Sequence, residues 1–219
     1  MSEQTWRRRV PGNKGMRYPA DPPTVEEIVA VPREAGHGRS AERLRGVIVV
    51  LWRAGLRVNE AIMLNETDLS ASTGSITVRF GKGGRRRQVG TDPSAWAQLH
   101  PWLDQRQHLP AGPLFCVIHG PNAGRRWNSS AVRGDLHRLA QQAGVRRRFA
   151  PHQLRHAHAV EMAREGIALN VIQRQLGHAN LGVTSVYLQG IDNSEIIATV
   201  CARPQPVMPA SARLRLLAR

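Results

Sequence analysis

Apolar residues recur at three- and four-residue spacing in one segment of this chain after another, and glycine closes most of them. Leu44, Val47, Ile48 and Leu51 share one face of a helix that Ser40 can cap and Gly55 ends. Val132, Leu136 and Leu139 form the same pattern over 128–143, with Gly144 as the stop. Helical stretches over 153–165 and 170–176 run into Gly166 and Gly177. Thr24, with Glu27 three residues on, is a capping-box pattern that opens a short helix toward Val31. Further helices are expected over 58–64, 181–188 and 193–200, and one over 92–108 interrupted by Pro101. Ser75–Phe80 alternates as a strand does. Gly81–Gly84 is a turn and 86–89 can pair back, which makes a hairpin with Lys82 at its tip. Leu114–Ile118 is a strand or a buried extended run. The pattern predicts a mainly α chain with a small antiparallel β-sheet, an α+β fold. It forms one domain over 24–200, flanked by a basic tail over 1–23 and a second tail over 201–219.

A chain of 219 residues with 41% hydrophobic and 21% charged residues can bury a full core without disulfides. Its longest apolar run, Val47–Trp52, is far short of the ~18–20 residues that span a bilayer. The amino-terminal MSEQTWRRRV lacks the apolar stretch of a secretory signal. Cys116 and Cys201 fit neither a disulfide framework nor a zinc site, so a cytoplasmic protein with reduced thiols and no membrane partner is expected. Thirty-one basic residues face sixteen acidic ones, a net charge of +15, which points to a polyanion. Aromatic residues make up only 5%, which disfavours single-strand stacking platforms and favours double-stranded DNA held through phosphates. Arg85, Arg86 and Arg87, together with Arg146, Arg147 and Arg148, are the expected DNA contacts, and the tail run Arg7–Arg9 can add to them.

Several chemistries lack their parts. No carboxylate cluster suits a two-metal nuclease, and Lys82 is followed by Gly rather than the Ser or Thr of a phosphate-binding loop. His152, His156 and His158 have no Cys or carboxylate at ligand spacing, so neither a metal nor a cofactor is expected. Metal-free phosphodiester chemistry needs a nucleophile, cations on the non-bridging oxygens and an acid for the leaving oxygen. Arginine's planar fork suits the second task. Lysine, unlike arginine, can be tuned to release a proton. Of the 31 basic residues only Lys14 and Lys82 are lysine, and Lys82 stands in a glycine turn. Taken singly these signals are weak: a His followed three residues on by Arg is expected about once in this composition.

The order of the signals is more specific. The chain reads Gly55-Leu56-Arg57-Val58-Asn59-Glu60, then Gly81-Lys82-Gly83-Gly84-Arg85, then Pro151-His152-Gln153-Leu154-Arg155-His156, then Leu176-Gly177-His178, then Val186-Tyr187. This resembles the tyrosine recombinase (phage integrase) family over nearly all of 24–200. The resemblance implies that Arg57 and Arg155 clamp a scissile phosphate, Lys82 protonates the leaving 5′ oxygen and His152 assists proton transfer. It further implies that His178 donates a hydrogen bond to the phosphate and that Tyr187 attacks to form a 3′-phosphotyrosyl link. Glu60 matches an acidic position behind the first arginine, and His156 a structural histidine. The implied reaction is site-specific recombination without metal or ATP, serving integration, excision, inversion or resolution of a mobile element. The implied assembly is a homotetramer on DNA formed from monomers in solution, with the segment 189–200 exchanged between protomers. A type IB topoisomerase-like DNA-relaxing enzyme and a non-catalytic DNA-binding regulator are the alternatives.

Most members of that family carry a separate helical DNA-binding domain ahead of the catalytic one. Only 23 residues precede the expected domain here, too few to form that module. The expectation is a catalytic domain without the separate N-terminal core-binding domain, with an accessory DNA-binding protein as a candidate partner.

Overall fold

The structure, a computed structural model, describes residues 22–81, 84, 86–178 and 201. Residues 1–187 form one compact unit and 188–219 a second, of which Cys201 alone is described, helical and exposed. The expected helices over 181–188 and 193–200, the hairpin tip at Lys82 and nearly all of both tails lie outside the described residues.

Among the described residues seven α-helices and three short strands follow in order. They are α1 (Val25–Arg33), α2 (Arg39–Arg53), α3 (Val58–Ile62), β1 (Leu69–Ser70), β2 (Ser75–Val78), β3 (Arg87–Gly90), α4 (Pro93–Arg106), α5 (Ser129–Gln142), α6 (Pro151–Arg164) and α7 (Leu169–Leu176). The α+β expectation holds. The capping box forms as read: the Thr24 hydroxyl accepts from the Glu27 N–H at 3.3 Å, and the Glu27 carboxylate accepts from the Thr24 N–H at 2.8 Å.

The centre of the fold is α2. Leu44, Val47, Ile48 and Leu51 are buried as expected, and so are Val49, Val50 and Trp52. Four β-branched residues in sequence (Val47, Ile48, Val49, Val50) disfavour a helix locally, but burial against α4 and α6 outweighs that preference. Each such side chain contributes roughly 1.5–3 kcal/mol when taken from water. The helix starts two residues earlier than expected. Gly38, not Ser40, is its N-cap, and no side chain caps it.

Pro101 does not interrupt α4. The helix runs through it, capped by Asp92, whose carboxylate accepts from the Ala95 N–H at 3.0 Å. Proline forfeits one backbone bond there, while its neighbours Leu99 and Trp102 are anchored in the core. Leu114–Ile118 is a largely buried run, bent at Leu114 and Phe115, rather than a sheet strand. Single bridges, Asn65 to Pro113 and Cys116 to Arg126, stitch it to its neighbours. The sheet is antiparallel in the order β1-β2-β3, with Val78 opposite Arg87 and Ile76 opposite both Leu69 and Val89. β1 was not foreseen, since two residues carry no periodicity. No described helix is long and apolar enough to cross a membrane.

A main apolar cluster joins α1 to α6, and a smaller one of Ala159, Ile172 and Leu176 seats α7 on α6. Trp102 closes the main cluster from α4. Its ring stacks on Phe115 and its indole N–H donates to the Leu114 carbonyl at 3.1 Å. Trp102→Phe, which keeps the ring but strands that carbonyl, is expected to lower unfolding free energy by about 1–3 kcal/mol. Trp102→Ala is expected to cost about 3–5 kcal/mol. Urea denaturation read by circular dichroism measures both.

Candidate active site

Arg57 stands immediately before α3, and Glu60 lies in its first turn, where the helix dipole favours a carboxylate. The Glu60 side chain turns back and is almost completely buried. One of its oxygens accepts from the Arg57 guanidinium at 2.8 Å and from an Arg87 Nη at 2.9 Å. The other accepts from the Arg57 backbone N–H and from the second Arg87 Nη, both at 2.9 Å. These four bonds occupy the lone-pair sites of a carboxylate. An Arg155 Nη lies a further 3.8 Å from Glu60. A single anion therefore gathers arginines from the cap of α3, from β3 and from α6.

Arg155 is buried on α6 and ties two other segments together. It donates to the Gly55 carbonyl at 2.5 Å and to the Leu176 carbonyl. The first precedes Arg57 by two residues, and the second precedes His178 by two. α6 itself is held on α2 by Glu161, which accepts from the Trp52 indole at 2.6 Å and from Arg53 at 3.0 Å. α7 is clamped by Gln175, whose side-chain amide accepts from the Gly90 N–H at 3.0 Å and donates to the Gly90 carbonyl at 2.7 Å.

His178 is delivered by the turn that ends α7. Gly177 adopts φ +64°, and a Cβ there would stand 2.8 Å from Arg87 Nε and 2.9 Å from its Cζ. The position thus needs glycine both for its backbone conformation and for the arginine that lies against it. The Gln173 side chain then holds the His178 carbonyl at 3.1 Å.

The electrostatics follow from this packing. Burial opposes ionisation of Glu60, but hydrogen bonds from Arg87 and the Arg57 backbone, with both arginine charges, override it and lower its pKa to about 2. Burial, reinforced by the charges of Arg155, Arg57 and Arg87, lowers His178 to about 4. His152, exposed at the start of α6, is lowered by partial desolvation and then by Arg155, Arg148 and Arg57. Both histidines are therefore neutral at neutral pH, able to accept a proton or to donate a hydrogen bond without adding charge.

The structure thus brings together Arg57, Glu60, His152, Arg155 and His178. Lys82, Arg85 and Tyr187 lie outside the described residues. Arg86, Arg146, Arg147 and Arg148 are exposed, although Arg147 also reaches the Pro22 carbonyl at 3.3 Å. Arg87 is placed differently from the other expected DNA contacts, since its fork turns inward onto Glu60. Strand alternation carries this signal: Arg87 shares the face of buried Val89, while Arg86 and Gln88 face out. Sequence reasoning also missed Gln175, whose clamp depends on a strand end 85 residues away. It likewise gave no role to His158, whose ring packs against Gly55 and whose buried Nε2 has no hydrogen-bond partner.

Gly177→Ala is expected to displace Arg87 and His178, visible as changed His178 ring resonances by NMR together with a lowered melting temperature. A pH effect follows from the histidines. Burial lowers His156, His158 and His178 to about 4, against an ordinary value of 6.5. Between those values the unfolded chain binds protons that the folded chain refuses, so stability falls as pH drops from 6.5 toward 4. Melting temperature against pH should show this fall, with a shallower slope in His158→Gln.

Comparison with known proteins identifies the family and the fold. The chain matches the phage integrase family over residues 21–193. It is 34% identical over 152 residues to the tyrosine recombinase XerC of Thermodesulfovibrio yellowstonii, covering 68% of this chain and 50% of that protein. It is 32% identical over 164 residues to XerA of Pyrococcus furiosus, covering 75% and 55%. The chain thus spans about half the length of these curated relatives. Among solved structures, a XerA recombinase superposes with TM-score 0.70 at 27% identity, covering 90% of this chain and 70% of that one. A XerH site-specific recombinase bound to its difH substrate shares the fold at TM-score 0.70 and 24% identity, covering 85% and 55%. With its ordered motifs and its gathered arginines and histidines, the chain belongs to the phage integrase family, with the catalytic-domain fold of the tyrosine recombinases.

Proposed function

We propose that this chain is a site-specific DNA recombinase whose catalytic domain spans 24–200. The observation that carries the reading is the cluster on Glu60. Counting the described residues, three arginines share one carboxylate, which leaves two surplus positive charges beside two neutral histidines. A phosphodiester under attack passes through a pentacoordinate state whose two non-bridging oxygens carry about that much negative charge. Donors fixed in advance stabilise such charge, each by ~3–4 kcal/mol of barrier.

In the proposed reaction the Tyr187 hydroxyl oxygen bonds to phosphorus and its proton passes to neutral His152. The bond to the 5′ oxygen breaks and Lys82 protonates that oxygen. Arg57, Arg155 and His178 hold the non-bridging oxygens. The 3′-phosphotyrosyl link retains the diester's bond energy, so attack by another strand's 5′ hydroxyl rejoins DNA without ATP or a divalent ion. Two such exchanges between paired sites, in a tetramer on double-stranded DNA, would integrate, excise, invert or resolve a mobile element. The exposed Arg86 and Arg146–Arg148 would grip backbone phosphates, and an accessory protein could add affinity. The work is placed in the cytoplasm.

The test uses a nicked duplex carrying the cognate site, in EDTA, with adduct formation followed on denaturing gels. The expected result is a covalent 3′ adduct that Tyr187→Phe abolishes while DNA binding persists. Arg57→Ala or Arg155→Ala should slow adduct formation by about 10²–10³-fold. Binding without any adduct would instead support a regulator, and relaxation of plasmid lacking the site a topoisomerase. Log affinity should fall steeply with log salt, and a nearly flat plot would contradict phosphate-driven binding.

A further inference from the structure

Arg87 stands among the basic residues that the composition assigns to DNA, yet its surroundings differ from theirs. Its side chain is 15% exposed. Both terminal nitrogens are engaged by Glu60 at 2.9 Å. Its Nε is buried without a hydrogen-bond partner, and the Gly177 backbone packs against the guanidinium so closely that a methyl group there would collide. The arginine is sealed between a carboxylate and a turn, with its fork already used.

What Arg87 touches is informative. Glu60 is the anion that holds Arg57 and lies beside Arg155. Gly177 is the residue before His178. β3, on which Arg87 sits, is the return strand of the hairpin that carries Lys82. One guanidinium therefore joins the supports of the four proposed phosphate-handling residues. Without Arg87, Glu60 has only Arg57 and Arg155 to satisfy it, and a buried carboxylate draws such groups toward itself.

We infer that Arg87 is a positioning residue for strand cleavage: by occupying Glu60 from behind and bracing Gly177, it leaves Arg57, Arg155 and His178 facing a phosphate that Arg87 itself does not touch. This rests on the recombinase reading for its consequence, though not for its geometry. Lysine cannot replace it fully, because an ammonium lacks the planar fork that bonds both carboxylate oxygens.

The experiment compares the full chain with Arg87→Met, Arg87→Lys and the exposed control Arg86→Met. Single-turnover adduct formation at saturating nicked duplex, DNA affinity with its salt slope, and the side-chain Nε–H resonances of Arg57 and Arg155 in DNA-free protein are measured. Arg87→Met should slow adduct formation about 100-fold or more with affinity within about threefold of wild type. Arg87→Lys should recover about tenfold of that loss. The Arg57 and Arg155 resonances should move in both Arg87 variants and stay in Arg86→Met. The inference is overturned if Arg87→Met weakens affinity, lowers the salt slope by about one and leaves the saturated rate unchanged, because Arg87 is then a phosphate contact. If Arg87→Met does not fold, Arg87→Lys carries the same readouts. Absence of adduct in the wild type would sink the recombinase reading alone. The resonances would then decide the positioning role, and unmoved resonances would refute it.

Discussion

A buried carboxylate with four hydrogen bonds and three arginine neighbours is the constraint around which this molecule is organised. Glu60 could not remain ionised in the interior without them, and they could not crowd together without it. The arginines come from the cap of α3, from β3 and from α6, so the ion cluster also cross-links separate elements of the fold. It fixes where the small sheet sits against the helices, and it leaves a positively charged face where neutral histidines are available for proton work. Truncating any partner would leave uncompensated charge in the interior, so stability and site geometry rise and fall together here.

Backbone carbonyls complete the arrangement. Arg155 uses the carbonyls of Gly55 and Leu176 to draw the end of α2 and the end of α7 onto one side chain. Gln175 repeats the device between α7 and the end of β3. Hydrogen bonds to a charged group are each worth more than neutral ones, about 1.5–3 kcal/mol. Two polar side chains, Arg155 and Gln175, thus do at this end of the domain what apolar packing does in the main core. Among the described residues, the apolar cluster beneath α7 is Ala159, Ile172 and Leu176 with two partly buried neighbours. Among these described contacts the polar ties of α7 stand out more than those of α2 or α4, and the turn that ends α7 carries His178.

Much of this was legible before any coordinates. Helical periodicity located α2, α5, α6 and α7, because each carries apolar residues at helical spacing and runs into a glycine that can turn the chain, although α2 and α6 bury more than one face. The site residues Arg57, Glu60, His152, Arg155 and His178 were legible as an ordered set, because their local settings are short-range: a helix start, a helix stop or a helical face. What escaped was long-range or too short to have a period. β1 has two residues. Ser40 competed with Gly38 for a cap without a decisive signal, and Pro101 was tolerated because the core holds both sides of it. Arg87 was read by its neighbours' charge rather than by its strand face, and its partner Glu60 is 27 residues away. Composition says that a cation is present, but only tertiary contact says whether it faces water or a carboxylate.

The most direct measurement of this account is a crystal structure of the chain on a nicked duplex with the tyrosine blocked. The account predicts Arg57 and Arg155 nitrogens about 2.7–2.9 Å from the non-bridging oxygens of one phosphate, with the Glu60–Arg87 pair intact behind them. A phosphate seated elsewhere, or one that has pulled Arg87 off Glu60 to reach it, would contradict the account.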